Sequence, residues 1–164
     1  MGTRRHWTCA LTLAAVMGFG SVAAVSAARK DTEADLLARI SRESNLIKKA
    51  KLEIRLARVK LMQAKNAREE GDIESSLQLL EAYAARVRSA WETLQQSGRP
   101  AHKKPQGFKE LDIALREDER YLEDLQRSIS VLQREPVEKI SSDMSKIRAE
   151  VLKALFPALV PASP

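Results

Sequence analysis

Residues 73–94 constrain the fold more than any other stretch of this chain. Apolar side chains fall at Ile73, Leu77, Leu80, Ala84, Val87, Trp91 and Leu94, in steps that alternate between four and three. That spacing lines one face of a helix and no face of a strand. A continuous apolar stripe is not stable in water, so other helices must cover it. The stretch therefore predicts an all-α fold: an antiparallel bundle of three to four long helices with coiled-coil-like seams.

The rest of the chain repeats the pattern. A first helix, the longest, is predicted over about 32–70. Thr32 with Asp35 resembles a capping box, and no Gly or Pro interrupts 31–70. Its apolar line is Ile40, Ile47, Ile54 and Leu61, with Ala50, Ala57 and Ala64 three residues further on. The polar patch 41–45 is where it would bend or fray. Gly71-Asp72 ends it and caps the helix that follows, since Gly takes the left-handed C′ position and Asp is a good N-cap. So short a joint makes the two helices a hairpin.

The loop 98–106, Gly-Arg-Pro-Ala-His-Lys-Lys-Pro-Gln, separates this hairpin from a third helix beginning near Gly107. The third seam is Phe108, Leu111, Leu115, Asp118, Leu122, Leu125, Ile129 and Leu132. A fourth helix is expected to start at Pro136, a residue suited to a first helical position. Its seam is Ile140, Met144, Ile147, Val151 and Ala154, and Pro157 stops it.

The flanks predict export. Arg4 and Arg5 precede an uncharged apolar run at 9–25, and Val25-Ser26-Ala27 supplies small residues for cleavage. Residues 1–27 thus read as a signal peptide or, if uncleaved, an N-terminal anchor. The bundle domain is then 28–156 and the tail 157–164 is loose. The chain carries a formal charge of +6, and loss of the two arginines leaves a mature chain of +4. A balance that mildly basic favours acidic partners without naming one. The expected location is periplasmic or secreted.

Several kinds of chemistry find no support. The only cysteine, Cys9, lies in the presumed signal, which removes disulfides, thiolate nucleophiles and cysteine metal sites from the mature chain. Di-iron bundle sites need Glu-x-x-His on two helices, and the mature chain has one histidine, His102, in the loop. No serine near it belongs to a recognisable nucleophile motif. The carboxylates Glu117, Asp118, Glu119, Glu123 and Asp124 stand beside Arg116, Arg120 and Arg127 at pairing distances, which reads as a salt-bridged surface. No enzyme, cofactor, metal or small-molecule substrate is predicted. Asp118 occupies a seam position between Leu115 and Leu122. It reads either as a buried acid with raised pKa or as a polar residue that sets register. Trp91 belongs to the core, and Tyr83, one step off the seam, to a boundary or interface.

One candidate binding surface stands out. Lys48, Lys51, Arg55, Arg58 and Lys65 follow near-heptad spacing, and 48–68 holds eight basic residues against one acid, Glu53. Such a ridge suits anionic lipid head groups or a cell-wall polymer. It pairs equally with the acidic face of the third helix. Nucleic acid is not predicted, because no aromatic residue lies between 20 and 82 for bases to stack on.

Residues 67–80, Ala-Arg-Glu-Glu-Gly-Asp-Ile-Glu-Ser-Ser-Leu-Gln-Leu-Leu, resemble the middle of a tetratricopeptide-type helical hairpin. The resemblance covers about a tenth of the chain, and the 34-residue period of such arrays does not recur. Gly107-Phe108-Lys109-Glu110-Leu111 after a basic loop, with Ala-Leu-Phe-Pro at 154–157, looks like a group of exported helical bacterial proteins, and that likeness brings no function with it. In size, basicity and export the chain is also similar to periplasmic Skp-type chaperones, without the strands of their trimer body. Three expectations follow. The first is a protein-interaction or scaffold module of the cell envelope, with a protein partner or self-association through the long first helix. The second is an adaptor to anionic envelope surfaces, and the third a chaperone-like holdase.

Overall fold

The computed structural model describes residues 32–157, and there the chain is all-helical, a helical bundle. Five helices follow one another: α1 (Glu33–Arg42), α2 (Leu46–Glu69), α3 (Ile73–Gln96), α4 (Phe108–Ser128) and α5 (Val131–Leu155). The expected signal at 1–27 and all but the first residue of the expected tail lie outside the described residues. Among the described residues, no helix is long and apolar enough to cross a membrane.

The helix ends follow local chemistry. Thr32 accepts a bond from the Asp35 amide at 3.2 Å and donates its hydroxyl to the Asp35 carboxylate at 2.7 Å. Asp72 caps α3 through the Ser75 amide at 3.0 Å, after Gly71 turns the chain at φ 84°. Gly107, at φ 90°, opens α4 and donates its amide to the Glu110 carboxylate at 2.6 Å.

Contacts between helices give their directions. Ser76 donates to the Ala64 carbonyl beside the turn, while Ser89 and Thr93 reach Glu53 near the other end, so α3 runs back along α2. Arg148 of α5 reaches Asp112 and Glu119 of α4. Lys51–Glu110, Arg58–Glu117 and Arg68 to the Ser128 carbonyl step along α2 and α4 in the same direction. Arg88–Asp143 and Trp91–Glu150 do the same for α3 and α5.

Two apolar clusters result. The larger is built by α2 to α5 around Ile54, Leu80, Leu94, Leu111, Leu122 and Val151. Trp91 meets Phe108 edge to face with ring centroids 6.1 Å apart. The smaller joins Leu36 and Ile40 of α1 to Leu52 and Leu56 on the opposite side of α2, with Val59 against it.

The smaller cluster corrects the expected continuous helix over 32–70. The chain breaks at 43–45 and α1 folds back onto α2, so the longest helix is α5, with 25 residues. Leu52, Leu56 and Val59 form a second apolar stripe on α2. Covering it outweighs the loss of three residues of helix. The line 40–47–54–61 divides accordingly, with Ile40 in the smaller cluster and the other three in the larger.

A second correction concerns Pro136, which lies inside α5 rather than at its start. Proline removes one backbone donor and disfavours the helix before it. Burial of Val137, Ile140 and Met144 just beyond it anchors the helix despite the missing donor.

Candidate functional site

The predicted basic ridge does not form one free surface. On α2, the Lys51 ammonium lies 2.5 Å from the Glu110 carboxylate, and Arg58 pairs with Glu117, both on α4. Lys65 reaches Glu69 of its own helix at 3.8 Å. Arg55 is exposed and also engaged within the chain, and Lys48 is exposed at the start of α2. Burial pushes the Glu110 carboxyl upward, but Lys51 and the Gly107 amide outweigh it and hold that carboxyl below its ordinary range. The seven-residue spacing that aligns Lys51 with Arg58 also aligns Glu110 with Glu117. Two parallel helices with matched heptads therefore zip these charges together.

Inside the bundle, Asp118 is 6% exposed and accepts the Tyr83 hydroxyl at 3.1 Å. Burial raises its pKa to about 6; Tyr83 and the nearby Arg58 charge pull the other way. Tyr83 is fully buried, not at the boundary expected for it, and burial next to Asp118 pushes its phenol far above the usual range. The pair joins α3 to α4.

Glu53 was not singled out by the sequence. It is 2% exposed and accepts the Ser89 hydroxyl at 3.0 Å and the Thr93 hydroxyl at 3.1 Å. The signal for it was the pair of hydroxyls four residues apart on α3, which place two donors on one helix face. The acid therefore belongs to the α2–α3 contact and not to the ridge.

An open cleft of about 640 Å³ lies at the end of the bundle where α3, α4 and α5 meet the 98–106 loop. Trp91, Leu94 and Phe108 form its apolar side, with Arg99, Glu150 and Lys153 also lining it. The Trp91 indole donates to Glu150 at 2.9 Å, which orients the carboxylate across the wall. Asp118 is not among its lining residues. His102 is exposed in the loop, beside Ala101, which is buried. Among the described residues, no group of three or more His, Cys, Asp or Glu side chains is placed to hold a metal ion.

The outer face of α2 is the other surface with clear chemistry. Leu52, Leu56 and Val59 take up Leu36 and Ile40 of α1. Glu33 closes the end of that contact through Lys60 at 2.6 Å and Gln63 at 3.2 Å. The Lys60 bond holds the Glu33 carboxyl below its ordinary range. Leu37 and Met62 are exposed on the same two helices, Met62 at 54%. This face receives an amphipathic helix. No family model, curated protein or solved structure matches the chain.

Proposed function

We propose that this chain is an exported, non-enzymatic interaction or scaffold module of the cell envelope. In this reading the four longer helices form an antiparallel bundle that carries α1 as a brace. One observation carries it: α2 has a second apolar face, separate from the main core, and among the described residues a ten-residue helix is its cover. A helix of that length is marginal alone and owes its structure to the groove it lies in. Such a groove reads helices by apolar anchors at three- and four-residue steps. The two buried carboxylates support the same reading, since Asp118 and Glu53 are held by hydroxyls of α3 within the bundle.

Photo-crosslinking in the cells that make the protein tests this. A crosslinker at exposed Met62 should give a discrete protein adduct, and one at Glu123, on the ion-paired face of α4, should not. Equal yields from both positions would end the reading.

Binding to anionic surfaces is the second reading, supported by Lys48 and Arg55 on the exposed side of α2. It predicts binding to anionic vesicles that falls with salt and is lost in Lys48→Glu with Arg55→Glu. Salt-insensitive binding, or none, would remove it. A holdase role would use the apolar cleft beside Trp91, and suppression of aggregation by the purified chain is its test.

A further inference from the structure

One end of the bundle gathers cations. α2 and α4 begin there and α3 and α5 finish there, since Lys51 meets Glu110, and Trp91 meets both Phe108 and Glu150. The 98–106 loop closes that end. Arg99 and Lys153 line the open cleft beside Trp91, together with Pro157. Lys103 and Lys104 are exposed on the loop, and Lys109 is exposed in the first turn of α4. The loop backbone is fixed. The Lys103 and Lys104 amides both donate to the Pro100 carbonyl at 3.0 Å, and the Lys109 amide donates to the Pro105 carbonyl at 2.9 Å. Among the described residues, none of these five cationic side chains has an ion pair or a hydrogen bond. Acids near this end are mostly engaged. Glu110 holds Lys51 and the Gly107 amide, Asp112 holds Arg148, and Glu150 accepts from Trp91. Glu92 is exposed on α3.

Fold stability does not account for the cations. Lys153 suits the C-terminal end of α5, where the helix dipole is negative. Lys48, Lys49 and Lys109 instead stand at the starts of α2 and α4, where the dipole opposes a cation, and α2 has no acid in its first turn. The far end differs. At the α2–α3 turn Glu69, Glu70, Asp72 and Glu74 are exposed, and near the α4–α5 turn Arg127 is paired with Glu123 and Asp124. This asymmetry turns the loop end toward an anionic surface.

Phe156 identifies the kind of surface. It follows α5 at the same end and is 51% exposed. An acidic polymer would neutralise the cations and leave the ring in water. A lipid surface takes both, because phosphate head groups meet the lysines and the ring enters the layer beneath them. Lysine suits such a layer, since a point charge on a long stem needs no fixed partner geometry.

We propose that the loop end of the bundle docks on an anionic lipid surface, with Lys103, Lys104 and Lys109 against head-group phosphates and Phe156 in the interface. This rests on the anionic-surface reading above and moves the contact from the outer side of α2 to the 98–106 loop. Lys48, at the start of α2, belongs to both surfaces.

Vesicle co-sedimentation with the purified full chain tests it, comparing phosphatidylglycerol mixed into phosphatidylcholine with phosphatidylcholine alone. The apolar run 9–25 is common to every variant, so the excess on anionic vesicles is the readout. Lys103→Gln with Lys104→Gln should weaken that excess binding about 30-fold, with helical circular dichroism unchanged. Phe156→Ala should weaken it about fivefold and leave its salt dependence as in wild type. An excess undiminished in Lys103→Gln with Lys104→Gln would overturn the proposal. If Lys48→Glu with Arg55→Glu then abolishes it, the contact lies on α2 and the anionic-surface reading stands. No excess in wild type would remove both. Binding to polyglutamate as tight as to anionic vesicles, with Phe156→Ala equal to wild type on each, would make the partner an acidic polymer and also overturn the proposal.

Discussion

Replacing Asp118 with asparagine should stabilise the protein at neutral pH and leave it unchanged in acid. Asp118 is 6% exposed, and its pKa is raised from 3.8 to about 6, chiefly by burial. A raised carboxyl pKa means that the native state prefers the protonated form. The favourable contribution is therefore complete below pH 3.8 and disappears as pH rises through 6. Above that, the buried charge opposes folding. A rise of that size corresponds to about 3 kcal/mol, at about 1.36 kcal/mol per pH unit, and this is an upper bound. Asparagine carries no charge and still offers an oxygen to the Tyr83 hydroxyl, so Asp118→Asn isolates the charge from the hydrogen bond. At about pH 8 urea unfolding should show a gain of about 1–3 kcal/mol, or a rise of several degrees in Tm for a domain of this size. At about pH 4 the two proteins should unfold together. The comparison with wild type matters, because Glu33, Asp72 and Glu110 have lowered pKa values and shift the overall profile the opposite way. A stability difference equal in acid and at neutral pH, or a loss at neutral pH, would refute the reasoning and place the Asp118 charge in a paired role with Arg58.

Gly107→Ala should cost about 2–4 kcal/mol, measured by thermal unfolding. Its φ of 90° disfavours any side chain, and an added Cβ would sit 2.5 Å from Leu94 Cδ2 in the core. Tyr121→Phe should raise stability by about 1 kcal/mol, since the Tyr121 hydroxyl is buried without a hydrogen-bond partner; a loss in chemical denaturation would mean that water satisfies it. Glu53→Ala should cost about 2–4 kcal/mol by stranding the buried Thr93 hydroxyl and the half-buried Ser89 hydroxyl and opening a cavity. Ser89→Ala with Thr93→Ala in that background should then cost far less than in wild type, and additive losses would show that Glu53 acts alone.

What the residues determined by themselves is the helical character and most of the seams. Apolar steps of three and four commit each stretch locally, whatever it packs against. Gly71-Asp72 likewise carries its own turn, because left-handed backbone and an N-cap are properties of those two residues. Tertiary packing decided the rest. The 43–45 break has no glycine or proline to mark it; it exists because Leu52, Leu56 and Val59 need cover that a straight helix does not provide. α5 runs through Pro136 because the buried residues that follow it, Val137, Ile140 and Met144, outweigh one missing donor. Whether Lys51 and Arg58 face solvent or Glu110 and Glu117 depends on α2 and α4 lying parallel, which neither helix encodes alone. Charge and burial at one residue are set by its neighbours in space, and a one-dimensional pattern records only its neighbours along the chain.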